Sequence, residues 1–105
     1  MFYAIFRWRT RPGTDEAFRA AWRRNTQSIR KNFGSCGSRL HRDADGAWIG
    51  YAYWPSEAYF RDCWARGIYV DEAAQAAFLD CLEDPNQDLS PVMFSTMTDD
   101  LLGEA

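Results

Sequence analysis

The stretch Asp45-Gly46-Ala47-Trp48-Ile49-Gly50-Tyr51-Ala52-Tyr53-Trp54-Pro55-Ser56-Glu57 sets a turn dipeptide, an aromatic strand and a helix start side by side. Asp-Gly is favoured in tight hairpin turns, whose central residues need positive φ, so the strand after it is expected to pair backwards with residues 37–43. Side chains alternate along a strand, which puts Trp48, Gly50, Ala52 and Trp54 on one face and Ile49, Tyr51 and Tyr53 on the other. Both faces are apolar, and both therefore need a cover. Pro55 stops the strand, and Ser56 is suited to cap a helix.

Before this hairpin, residues 2–10 read as a first strand with Phe2, Ala4, Phe6 and Trp8 on one face and Tyr3, Ile5, Arg7 and Arg9 on the other. Arg7 and Arg9 are expected at a solvated end, with an anion clamp inside a barrel as the alternative. Pro12-Gly13 breaks the strand, and Thr14 reads as an N-cap with Asp15 and Glu16 in the first helical turn, where carboxylates suit the helix dipole. Phe18, Trp22, Ile29 and Phe33 then form one stripe of a helix that Gly34 ends. The basic residues of this helix, Arg19, Arg23, Arg24, Arg30 and Lys31, read as its solvated side. A second helix is expected from Ser56 to about Arg66 and a third from about Asp71 to Glu83. A last strand follows from Pro91 to Met97, and an acidic tail from about residue 98.

The order β-α-β-β-α-(α)-β predicts an α+β, ferredoxin-like fold, a four-stranded antiparallel sheet with helices on one face. Its other face would expose apolar surface on the order of several hundred Å², a patch that monomers seldom show, so pairing of two copies is expected.

The 105 residues make one domain, 1–105, with a single core. Aromatics form 16% of it, enough to line a core, a pocket and an interface. The formal net charge of -3 disfavours nucleic acid and anionic membranes as partners, and leaves a small aromatic ligand open. Cys36, Cys63 and Cys81 are odd in number and contain no CxxC pair, which indicates neither a disulfide framework nor a zinc site. With no leader pattern and no membrane-length apolar run, a cytoplasmic protein is expected.

Three segments then carry a resemblance: Phe2 to Arg9 with Arg11-Pro12-Gly13 and the acidic helix start; Gly37-Ser38-Arg39-Leu40-His41-Arg42 with Asp45-Gly46; and Trp48 to Ser56. Together they resemble the antibiotic biosynthesis monooxygenase family, in which two ferredoxin-like sheets close face to face as a dimeric α/β barrel. The resemblance implies a homodimer and cofactor-independent oxygenation, with O2, of a phenolic or quinol-type aromatic. The family's haem-degrading branch uses an Asn on the first strand, a Trp at the end of the third and a His on the following helix. Here Trp54 matches, Phe6 stands in the Asn position, and residues 71–83 hold no histidine, so no haem ligand is expected.

With a two-residue turn at Asp45-Gly46, His41 falls opposite Gly50 and Arg39 opposite Ala52, on the face of Trp48 and Trp54. A four-residue turn keeps these faces, whereas a three-residue turn with a bulge flips them. On the even-turn reading His41, the sole histidine, is the candidate proton acceptor and Arg39 the partner of a phenolate. Phe6, Trp48, Gly50, Ala52 and Trp54 then shape a pocket for a flat ring. Leu40, Ile49, Tyr51 and Tyr53 form the expected dimer seam. For His41 and Arg39 the plainer alternative is a wet strand surface. A non-catalytic, ligand-binding or stress-related dimer is a second functional reading. RNA binding is a third, since Gly50-Tyr51-Ala52-Tyr53 resembles the third strand of RNA-recognition motifs, but Ile49 replaces the basic residue and Pro55 cuts the strand short.

Overall fold

β1 (Phe2–Trp8) is the strand on which the rest is assembled, because its alternating large apolar residues can be covered on both flanks and from one face. A computed structural model describes residues 1–102 of the chain. The further elements are α1 (Asp15–Phe33), β2 (Ser38–Arg42), β3 (Trp48–Trp54), α2 (Glu57–Arg66), α3 (Glu72–Cys81) and β4 (Met93–Thr96). The sheet runs β2-β3-β1-β4 with every neighbour antiparallel, which is the expected ferredoxin-like arrangement. The third helix and last strand are shorter than their sequence patterns, ending at Cys81 and Thr96. The acidic tail extends beyond the described residues, and its described part, with Met97 to Leu102, lines a groove against Tyr3, Arg39 and Tyr53 on the sheet.

Register between β1 and β3 sorts the side chains. Phe2 pairs with Trp54, Ala4 with Ala52, Phe6 with Gly50 and Trp8 with Trp48, all beneath the helices, where Phe18, Phe60 and Phe78 complete the core. Tyr3 pairs with Tyr53, Ile5 with Tyr51 and Arg7 with Ile49 on the opposite, open face. There the rings of Tyr3 and Tyr53 meet at a tilt with centroids 4.7 Å apart, half-buried in the single chain.

Local chemistry fixes the helix ends. Ser56 Oγ accepts from the Tyr59 amide at 3.1 Å, and Asp71 Oδ1 accepts from that of Ala74 at 3.1 Å, two side-chain N-caps. Gly34 closes α1 in the left-handed region at φ 69°, with its amide donating to Arg30 O. Thr14 departs from expectation. It occupies the N-cap position at φ -106° and ψ 10°, a turn rather than an extended conformation, and its hydroxyl donates to Arg11 O at 2.6 Å instead of capping α1.

The hairpin between β2 and β3 corrects the sequence reading. Asp43 pairs with Ala47 across a three-residue loop, Ala44-Asp45-Gly46, with Gly46 at φ 92°. This is a bulged turn, and it shifts register by one residue. Its cause is Asp43, whose Oδ1 accepts from the amides of Asp45 and Ala47 at 3.1 and 3.0 Å. Arg7 on β1 and Arg9 just beyond its end clamp the Asp45 carboxylate at 2.8 and 2.7 Å. Asp45 is held below the ordinary carboxylate range by its hydrogen bond with Asp43, then by Arg9 and the Ala47 amide. Arg39 consequently pairs with Tyr51 and His41 with Ile49, on the open face, not opposite Ala52 and Gly50. Leu40 pairs with Gly50 beneath the helices, so it leaves the expected dimer seam of Ile49, Tyr51 and Tyr53.

Candidate functional site

A cavity of about 50 Å³ lies between the helix-covered face of the sheet and α1, α3 and the segment after α2. Its place follows from two small residues on β3 that meet different fates. A side chain at Gly50 would stand 2.7 and 2.8 Å from the Trp8 ring carbons Cη2 and Cζ3, so the space over Gly50 is occupied by that indole. Over Ala52, which pairs with Ala4, no large side chain closes in, and Ala52 forms part of the cavity wall. The expected hollow over both residues is therefore half filled from within.

Phe6 and Trp54 are the other expected pocket residues that line this cavity. Phe6 stacks on Trp8 at 5.6 Å, and Trp54 meets Phe60 edge-on at 5.3 Å, which fixes both rings. Trp48 lies outside the cavity: it stacks on Phe18 at 5.2 Å and its Nε1 donates to Thr10 Oγ1 at 3.1 Å. His41 and Arg39 also lie outside it. The His41 ring stands 5.2 Å from that of Tyr51, and the Arg39 guanidinium 5.6 Å from that of Tyr53.

Two polar atoms at the cavity lack partners. Asn25, only 4% exposed, donates from Nδ2 to Gln75 Oε1 at 3.0 Å and leaves Oδ1 unbonded. Trp54, 1% exposed, leaves Nε1 unbonded. An unpaired buried acceptor or donor costs about 1–3 kcal/mol, so two at one aromatic cavity mark a place where a ligand's polar atoms fit. Tyr69 lines the same cavity, and burial pushes its phenol above the ordinary value of 10.0, so it stays protonated there as a donor.

Asn25 and Tyr69 are absent from the site residues expected from sequence. For Asn25 a signal exists: Asn25 and Thr26 interrupt the stripe Phe18, Trp22, Ile29 at a position of α1 that faces the core, and both line the cavity. A polar residue at a core position of an amphipathic helix has to be paired or put to use. Tyr69 carries no such signal, because it lies in an irregular segment between α2 and α3.

Beside the cavity, between α1 and the edge strand β2, runs a wider open groove of about 510 Å³, lined by the consecutive residues Ser38 to Arg42 along the strand edge and by Trp48, while strand alternation puts His41 and Arg39 on the open face and Trp48 beneath the helices. Trp22 and Ser38 line both spaces, so they form the boundary between cavity and groove. Among the described residues no group of three or more His, Cys, Asp or Glu side chains is placed to hold a metal ion, and no helix is long and apolar enough to cross a membrane.

This architecture recurs in solved structures. Rv0793 from Mycobacterium tuberculosis superposes with a TM-score of 0.63 at 18% identity, over 95% of this chain and 97% of the other. SnoaB, a cofactor-independent oxygenase from Streptomyces nogalater, superposes with a TM-score of 0.68 at 16% identity, over 97% of each chain. At such identities the likeness is one of fold. No curated protein matches the sequence. The sequence model of one family does match, over residues 1–63, from β1 into α2 and including Phe6, Asn25, Ala52 and Trp54. The chain belongs to the antibiotic biosynthesis monooxygenase family.

Proposed function

We propose that the cavity receives the hydroxylated ring of a phenolic or quinol-type aromatic, and that the protein oxygenates this ring with O2 without a cofactor. The observation that carries the reading is the unpaired couple Asn25 Oδ1 and Trp54 Nε1 in one aromatic cavity. A ligand hydroxyl donates to the first, and a phenolate or carbonyl oxygen accepts from the second. A donor fixed in a dry site favours the oxyanion over the phenol, which lowers the cost of removing the proton. The proton leaves to solvent water, because His41 and Arg39 stand on the open face and outside the cavity. The conjugate anion carries charge at a ring carbon that holds two hydrogens in the keto form. That carbon transfers an electron to O2, the radical pair joins as a C–O bond, and the hydroperoxide loses water to leave a carbonyl. One oxygen atom ends in the product and the other in water, whose two hydrogens come from the ring carbon.

At about 50 Å³ the cavity is smaller than the ~150 Å³ that accommodates benzene in an engineered core. Entry of a ring therefore requires the partly exposed wall of Trp22, Ile29 and Tyr69 to swing outward. Members of the family are usually dimeric, and a second copy of this chain is proposed to cover Ile49, Tyr51 and Tyr53 on the open face.

An oxygen electrode with anthrone tests the chemistry. The expected result is one O2 consumed per anthraquinone formed, with a rate that falls about a hundredfold in Trp54→Phe, the loss typical of one oxyanion donor. Uptake no faster than the spontaneous background sinks the proposal. A second reading has its own support: among the residues lining the cavity Tyr69 is the sole titratable group, so no strong base stands inside it. A protein that binds the phenol without turnover would quench tryptophan fluorescence and leave O2 untouched.

A further inference from the structure

Asn25 meets the cavity with one arm of its amide and meets α3 with the other. Only 4% exposed, it forms a single side-chain hydrogen bond among the described residues, Nδ2 to Gln75 Oε1 at 3.0 Å, and Oδ1 is the atom left over at the cavity. Gln75 is half-buried and does not line the cavity, so it acts on a ligand there only through Asn25. It also lies beyond residues 1–63, the part of the chain that the family's sequence model matches.

Two such amides can bond in two ways. Each carries an acceptor on one arm and a donor on the other, so turning both over replaces the bond from Nδ2 to Oε1 by one from Gln75 Nε2 to Asn25 Oδ1, with the same spacing. In the first arrangement Asn25 offers the cavity an acceptor, Oδ1; in the second it offers a donor, Nδ2. Little separates the two in energy. The outer arm of Gln75 makes no other side-chain hydrogen bond among the described residues and reaches water, which donates or accepts equally well. The inner arm of Asn25 is unpaired in either arrangement. A ligand that bonds to one of them therefore selects it.

We infer that Asn25 and Gln75 form a hydrogen-bond switch, which accepts from the hydroxyl form of a ring oxygen and donates to its carbonyl or oxyanion form. This rests on the phenol-binding reading of the cavity and deepens it. The proposed chemistry takes a ring oxygen between hydroxyl, anion and carbonyl forms, and a fixed acceptor beside it would oppose the last two. Gln75 is thus a positioning residue, whose amide turns at the surface and keeps Asn25 paired in both arrangements. No proton passes along the pair; the amides only rotate.

The test fixes the switch from its outer end. In Gln75→Glu the ionised carboxylate only accepts, which holds Asn25 with Nδ2 toward that carboxylate and Oδ1 toward the cavity; in Gln75→Lys the ammonium only donates, which holds Asn25 the other way round. The probes are 2-naphthol and 2-tetralone, which carry a hydroxyl and a carbonyl at the same ring position. Both are uncharged at neutral pH, so the introduced charges do not favour either. Quenching of tryptophan fluorescence reads the affinities. The wild type is expected to bind both. Gln75→Glu should keep 2-naphthol and weaken 2-tetralone at least about tenfold, the loss expected for one unmade hydrogen bond. Gln75→Lys should keep 2-tetralone and weaken 2-naphthol, whose hydrogen then meets no acceptor. The ligand retained by each variant certifies its fold. A wild type that binds 2-naphthol and rejects 2-tetralone, or variants that weaken both ligands alike or leave their ratio unchanged, overturns the switch and leaves the phenol cavity standing. If the wild type does not bind 2-naphthol, the cavity reading falls and this inference with it.

Discussion

Replacing Asn25 by leucine separates a stabilising role for this residue from a ligand-binding one. Asn25 contributes one hydrogen bond, Nδ2 to Gln75 Oε1, and bears one buried unpaired acceptor, Oδ1. The bond has a net value of about 0.5–1.5 kcal/mol, and the unpaired acceptor costs about 1–3 kcal/mol. Gln75 is only half-buried, so its freed carbonyl can turn to water. Leucine keeps the branch at Cγ, removes both polar atoms, and has the adjoining cavity to take its slightly larger volume. Asn25→Leu should therefore leave stability unchanged or raise it by up to about 2 kcal/mol, a Tm rise of several degrees for a domain this size. Affinity for 2-naphthol should fall about tenfold, as expected for losing one hydrogen bond near 1.4 kcal/mol. Thermal unfolding by circular dichroism and fluorescence quenching give the two numbers on one sample. A variant that loses more than about 2 kcal/mol of stability, or that binds 2-naphthol as the wild type does, would refute the assignment of Oδ1 to the ligand.

Two further outcomes follow from the packing and from the cavity's phenol. Gly50→Ala pushes a methyl group against Trp8, which is 5% exposed and held by Phe6, Phe18 and Phe78. Overpacking of about 1–3 kcal/mol should outweigh the ~0.5–1 kcal/mol gained by removing a strand glycine, and urea unfolding that shows no loss would mean that Trp8 does not fill this space. Tyr69 has its folded-state pKa raised above 10.0 by burial, so the unfolded chain loses this proton first. Its contribution is complete below pH 10 and declines as pH rises from there toward the folded value; Tyr69→Phe should flatten that alkaline loss of stability, and an unchanged slope above pH 10 counts against a desolvated Tyr69 hydroxyl.

Much of the fold was legible because it rests on local chemistry. Pro12-Gly13, Ser56 and Gly34 punctuate the chain through backbone geometry that holds in any context, and the alternation in β1 and β3 needs only the pleat of a strand. Parity alone puts Trp54, Phe6 and Ala52 on one face of the sheet, and all three line the cavity beneath the helices. His41 and Arg39 were misplaced through a single residue of turn length, since a slip of one inverts the face of every side chain on β2. Asn25 was hidden inside a stripe read for its apolar members.

By itself the sequence determined the elements, their order and the two-faced character of β3, because each depends on neighbours in the chain. The tertiary structure decided three things that no local rule contains. Arg7 on β1 and Arg9 just after it meet Asp45 while Asp43 ties down the turn amides, and together they select the three-residue turn. Trp8 swings over Gly50 and leaves space only over Ala52. Packing of α1 on α3 gives Asn25 one partner and denies it a second. In each case the deciding energy comes from groups distant in sequence, whose desolvation and contact exist only once the chain has closed on itself.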